Sequence, residues 1–133
     1  MKRKSNSIIR DDLSEQGRSL LRLLLEVLAG PTFNLGDPLT YIGYRDCCDR
    51  LGLIKPGMDI PWGRMLQLNG LNNLNESIMR HWLPAVCGFI VYVSGDRVWY
   101  RGGDYFRSHG CQNPDFDWWK SEVAKAVAVI WKP

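Results

Sequence analysis

Apolar positions recur at helical spacing over Leu20, Leu21, Leu24, Val27 and Leu28, a broad stripe that Leu23 and Leu25 widen further and that marks a central core helix ahead of a partner-docking one. Asp12 with Glu15 three residues on forms a capping-box pattern ahead of it, and Gly30–Pro31 stops it. Residues 31–39 hold Pro31, Gly36 and Pro38 and predict a loop. Thr40 then reads as the N-cap of a helix from about Tyr41 to Leu51, ended by Gly52, with Cys47, Cys48 and Leu51 turned inward. A connection across Leu53–Trp62, with Pro56, Gly57 and Pro61, leads to a second helix at Trp62–Gly63–Arg64. Met65, Leu66 and Leu68 are its packing residues, and Gly70 ends or bends it. Asn72, Asn73 and Asn75 suit a cap for a third short helix, Glu76–Trp82, which Pro84 terminates.

Beyond Pro84 the period changes. Phe89–Val93 is a strand by its β-branched and aromatic content, Ser94–Gly95–Asp96 signals a hairpin, and Arg97–Arg101 returns before Gly102–Gly103. Tyr105–Gln112 is irregular. Asn113–Pro114, followed by Asp115 and Asp117, opens a last helix with Trp118, Val123, Val127 and Ile130 as its core stripe. Helix, turn, helix, helix and ribbon is the order of a winged helix-turn-helix. The expected fold is therefore α+β: a mainly helical single domain over residues 11–133, with a helix-turn-helix-like core, a β-hairpin wing and a terminal helix. Residues 1–10 read as a disordered basic arm.

Charge narrows the function classes. The 133-residue chain carries a formal charge of +3. Four of its 17 basic residues, Lys2, Arg3, Lys4 and Arg10, fall in the arm, which leaves 13 against 14 acidic residues in the body. A body close to neutral is not a strong non-specific polyanion binder, so any nucleic-acid affinity must come from a local patch or the tail. Asp11–Asp12 and the charged residues within the leucine run argue against a secretory signal or a membrane span, and the four cysteines show no disulfide pattern. A cytoplasmic setting is the expectation. Six tryptophans are many for this length, and Trp82, Trp118, Trp119 and Trp131 lie in apolar surroundings that suggest core use.

Recognition of DNA needs side chains that reach base edges and cations that fix phosphates. Arg64 stands at the start of the second helix, and Tyr41, Tyr44 and Arg45 at the opening of the first. Arg97, Trp99 and Arg101 alternate along one face of the expected wing. These seven residues are the candidate nucleic-acid-binding set, with double-stranded DNA as the candidate partner.

The same segment resembles the C-terminal domain of the O6-alkylguanine-DNA alkyltransferases and alkyltransferase-like proteins. Thr40–Tyr41 stands where that family opens with Thr-Tyr-Gly, Arg64–Met65–Leu66–Gln67 where it has its arginine helix, and Leu83–Pro84–Ala85 where it has Ile-Pro-Cys. Ser94–Gly95 and Gly102–Gly103 stand at its Gly-rich hairpin. The chain is also similar to a group of small uncharacterised bacterial proteins with a Thr-Tyr helix, a Leu-Pro strand and a Gly-rich end. The resemblance implies a winged-helix DNA-binding module, with Tyr41 as the phosphate-rotating tyrosine and Arg64 as the arginine that fills the base stack. It does not extend to alkyl transfer, which needs a thiolate beside a histidine. Ala85 occupies the cysteine position, Val86 and Cys87 follow, and no histidine adjoins them.

Other chemistry is thin. Cys47, Cys48, His81, Cys87, His109 and Cys111 lack zinc-knuckle spacing, so no metal or cofactor is expected. Asp104, His109 and Cys111 share a loop that could hold a thiolate pair, but an irregular connector is the simpler account. The alternative function is a protein-interaction subunit, an adaptor or inhibitor of a bacterial or phage complex, docking through Leu20, Leu21, Leu24 and Leu28 and a tryptophan surface.

Overall fold

The computed structural model describes residues 13–54, 57, 59–94, 97–99, 116–129 and 131, with side chains for all of these except 92–94, 97–99 and 116. Helix α1 spans Glu15–Ala29. Its cap is Ser14, whose Oγ accepts the Gly17 N–H at 3.0 Å. The sequence pattern placed the cap at Asp12, which lies outside the described residues. The Ser14 N–H itself donates to Asn73 Oδ1 at 2.9 Å, an approach open only because Gly17 has no side chain there.

The leucine stripe of α1 faces the protein's own core. Leu20, Leu21 and Leu24 are fully buried and Leu28 is half-buried against the same cluster. This agrees with the core reading of the stripe and corrects the alternative, a docking face: each buried leucine contributes roughly 1.5–3 kcal/mol to folding where it sits, and Leu20, Leu21 and Leu24 are closed to a partner. α1 packs on a kinked segment at Gln67–Leu71 and on the helix after it.

The start of the first site helix also differs from expectation. The Thr40 hydroxyl donates to the Asn34 carbonyl (2.9 Å) and the Asp37 carbonyl (2.7 Å) and accepts from the Asn34 N–H at 2.9 Å. It closes a loop and a 3₁₀ turn, Pro38–Thr40, that Asp37 caps through the Leu39 N–H. The chain then extends, because Ile42–Gly43 (β1) pairs in parallel with a later strand, Ile42 opposite Ile90 and Gly43 opposite Val91. Helix α2 therefore begins three residues later than Tyr41 and spans Tyr44–Arg50. Cys47 and Cys48 point inward as expected. Gly52, with φ +71°, ends it while the Leu53 N–H returns to the Cys48 carbonyl at 2.8 Å.

Helix α3 (Trp62–Leu66) is joined to α4 (Asn72–Arg80) through Gln67–Leu71, a segment kinked at Asn69 and Gly70. Gly70 makes the bend at φ +133°, where a Cβ would stand 2.8 Å from the Gln16 carbonyl oxygen. Gln16 Nε2 donates to Asn69 Oδ1 at 3.0 Å, and Asn69 Nδ2 to the Met65 carbonyl at 2.8 Å, tying the bend to α1 and α3. The bend gives the inner positions to Leu66 and Leu71 and leaves Leu68, expected inside, 54% exposed. The third helix is Asn72–Arg80 rather than Glu76–Trp82. Trp82 follows it in the left-handed region (φ +54°) and is 94% exposed, so it is not a core tryptophan.

A 3₁₀ turn at Val86–Phe89 precedes strand β2 (Ile90–Ser94), which pairs antiparallel with β3 (Arg97–Trp99), Tyr92 opposite Trp99 and Ser94 opposite Arg97. The order is β1-β2-β3. Phe89 thus belongs to the turn and not to the strand. Helix α5 (Phe116–Ala128) buries Trp119, Val123 and Ala126, while Val127, expected in the stripe, is 43% exposed. The indole N–H of Trp119 donates to the Gly88 carbonyl and that of Trp131 to the Ala126 carbonyl, both at 2.9 Å. The fold is a mainly helical α+β arrangement around one buried cluster. Among the described residues no helix is long and apolar enough to cross a membrane.

Candidate functional site

Two short helices with opposed exposed faces leave an open cleft of about 1080 Å³ between α2 and α3. Four of the seven candidate residues line it: Tyr41, Tyr44, Arg45 and Arg64. They do not contribute equally. Tyr44 is 6% exposed and belongs to the core. Tyr41 is half-buried in an aromatic cluster, stacked on Phe33 at 5.8 Å and edge-on to Phe89 (4.9 Å) and Trp119 (6.0 Å). Its hydroxyl donates to the Leu35 carbonyl. Burial, and then the Asp37 carboxylate, push its pKa up to about 12, so the phenol stays protonated. Both tyrosines are walls of the cleft; neither is a free contact.

Arg45 and Arg64 are exposed on the two sides of the cleft. Arg45 lies over the Trp62 ring, its Cζ 5.4 Å from the ring centroid, an arrangement that holds a guanidinium by the quadrupole of the indole. Neither arginine is joined to a carboxylate among the described residues. Asp46 and Asp49 share the cleft, and Asp46 is partnered by Arg50 at 3.3 Å. Trp62 and Gln67, also lining residues, were not in the candidate set. A spacing signal was present: Arg64 and Gln67 are three apart on one continuous helical stretch and so share a face.

The other three candidates belong to the expected wing. Arg97 and Trp99 lie in β3, but their side chains fall outside the described residues, as does the whole of Arg101. Asp104, His109 and Cys111 lie outside as well. Ala85 is fully buried, its N–H donating to Glu122 Oε1 at 3.3 Å, and Cys87 is buried in the core beside it. The position that resembles the reactive cysteine therefore presents a methyl group inside the protein. Burial also raises the pKa of the Cys48 thiol.

No protein-family model, curated protein or solved structure matches the chain.

Proposed function

We propose that the chain is a non-catalytic DNA-binding module of winged-helix, alkyltransferase-like type, with α2 and α3 as the helix pair and the β2–β3 ribbon as the wing. The observation that supports this reading best is the pairing of Arg45 and Arg64, exposed and free of carboxylate partners among the described residues, across one open cleft. Two exposed guanidiniums, one of them held over Trp62, supply the local cationic patch that a near-neutral body requires.

The test is fluorescence anisotropy with a labelled oligonucleotide that has a duplex stem and a single-stranded overhang, at 50 and 200 mM salt. Each phosphate neutralised contributes a slope of roughly −0.7 to −0.9 in log affinity against log salt. Arg64→Ala is expected to weaken binding well beyond Arg22→Ala, an exposed arginine on α1. Absence of binding at the lower salt would refute the reading.

A second reading, a protein-interaction subunit, no longer has the leucine helix to stand on. It is favoured instead by Trp82, a 94% exposed aromatic held in a strained backbone conformation. Its signature would be a co-purified protein lost on Trp82→Ser.

A further inference from the structure

A winged helix ordinarily reads duplex DNA by pushing a convex element into a groove. The α2–α3 surface is the reverse shape, a recess with its polar groups on the walls. A duplex laid across a recess meets it with phosphate ridges, yet Asp46 and Asp49 line the cleft along with the arginines. Carboxylates repel phosphates but accept hydrogen bonds from base amino groups, as the Gln67 amide also can. Recess, mixed charge and an aromatic lining suit a single strand entering edgewise.

We propose that this cleft takes an unpaired stretch of nucleic acid rather than a duplex, with one base stacked on the outer face of the Arg45 guanidinium. The inference rests on the DNA-binding reading and refines it. One partner of the guanidinium is already in place: Arg45 Cζ lies 5.4 Å from the Trp62 ring centroid, and Arg45 is an exposed residue that lines the cleft. A planar guanidinium held this way offers its second face to a base, as guanidinium planes do in single-strand recognition. Arg64, on the opposite wall, is placed for the phosphate, and Gln67, one turn further along, for a base edge. At about 1080 Å³ the cleft has room for a few nucleotides.

The experiment compares a labelled 12-nucleotide single strand with the 12-base-pair duplex of the same sequence, at low salt, for the wild-type chain and Arg45→Lys. The lysine keeps the charge and loses the plane. The single strand is expected to bind at least tenfold more tightly than the duplex. Loss of one stacked base, worth about 1–3 kcal/mol, corresponds to a roughly 5- to 150-fold weakening of single-strand binding in the variant. Duplex binding equal to or tighter than single-strand binding would overturn this inference and leave the DNA-binding reading intact. Binding to neither would overturn both. Single-strand preference with Arg45→Lys equal to wild type would remove the stacked base and with it the proposal. Because Arg45 is exposed, its replacement leaves the core untouched, and circular dichroism of the variant checks the fold.

Discussion

Replacing Gly70 by alanine should destabilise the protein more than replacing any exposed turn glycine. Gly70 sits at φ +133°, ψ −33°, a conformation that L-residues rarely hold and that costs them about 1–3 kcal/mol. The added Cβ would also stand 2.8 Å from the carbonyl oxygen of Gln16 and 3.1 Å from its carbonyl carbon. These are backbone atoms of α1 and cannot rotate aside, so α1 or the bend must shift, at roughly another 1–3 kcal/mol by analogy with overpacked cores. The expected loss is about 4 kcal/mol, a large share of the 5–15 kcal/mol typical of a domain. Gly52→Ala is the control. Gly52 is also left-handed, φ +71°, but nothing lies within 4 Å of its Cβ position, so only the conformational cost of about 1–2 kcal/mol applies. Urea denaturation followed by circular dichroism measures both. If Gly70→Ala loses no more stability than Gly52→Ala, the close packing of the bend on α1 is not what holds α3 in place.

Three further outcomes follow from single residues. Ser77 is 1% exposed and its Oγ has no hydrogen-bond partner among the described residues, so Ser77→Ala should be neutral or stabilising by up to about 1 kcal/mol in the same urea assay; a loss above 1 kcal/mol would reveal a bond to that hydroxyl. Trp82→Gly should raise stability by about 1 kcal/mol, because glycine adopts φ +54° without strain and the indole buries almost nothing; a lower melting temperature would mean that the ring packs on something in solution. Tyr41, raised from 10.0 to about 12, binds its proton more tightly folded than unfolded. Its contribution is complete below pH 10 and is lost as pH rises from 10 to 12, so Tyr41→Phe should flatten the stability–pH curve in that window alone; an unchanged curve would remove the assignment.

The helices were legible where a stripe or a stop residue decided them. The leucines of α1, the inward Cys47 and Cys48, and the bend at Gly70 all follow from spacing and from glycine. What escaped depended on distant partners. Thr40 has every local mark of an N-cap, but its hydroxyl closes a loop because Ile42 pairs with Ile90, 48 positions along the chain. Leu68 and Val127 hold helical positions that face inward on a straight or isolated helix; the kink at Asn69–Gly70 and the packing of Trp119 and Ala126 turn them out. At the site, residue type pointed to Arg45 and Arg64. Trp62 and Gln67 were missed because their place in the cleft depends on how α3 packs against α2, and Tyr44 was included because nothing local distinguishes a core tyrosine from a surface one.

Sign and shape of charge, not its total, decide what the cleft can hold. Two unpaired guanidiniums face two carboxylates there, and one of those, Asp46, is already neutralised by Arg50. The local excess is positive but small, which fits a body with nearly equal acidic and basic residues. A small excess cannot hold a ligand by phosphate attraction alone, since that term scales with the number of phosphates neutralised. In the proposed complex much of the affinity comes from contacts that salt screens little: stacking on the guanidinium that Trp62 holds, and hydrogen bonds to groups with donor and acceptor edges. Bases offer both only when they are not paired, because pairing occupies one edge and stacking within a helix covers the faces. The near-neutral composition, which weakens the case for a duplex binder, leaves stacking and base-edge contacts as the larger part of the affinity that the proposed unpaired strand would have.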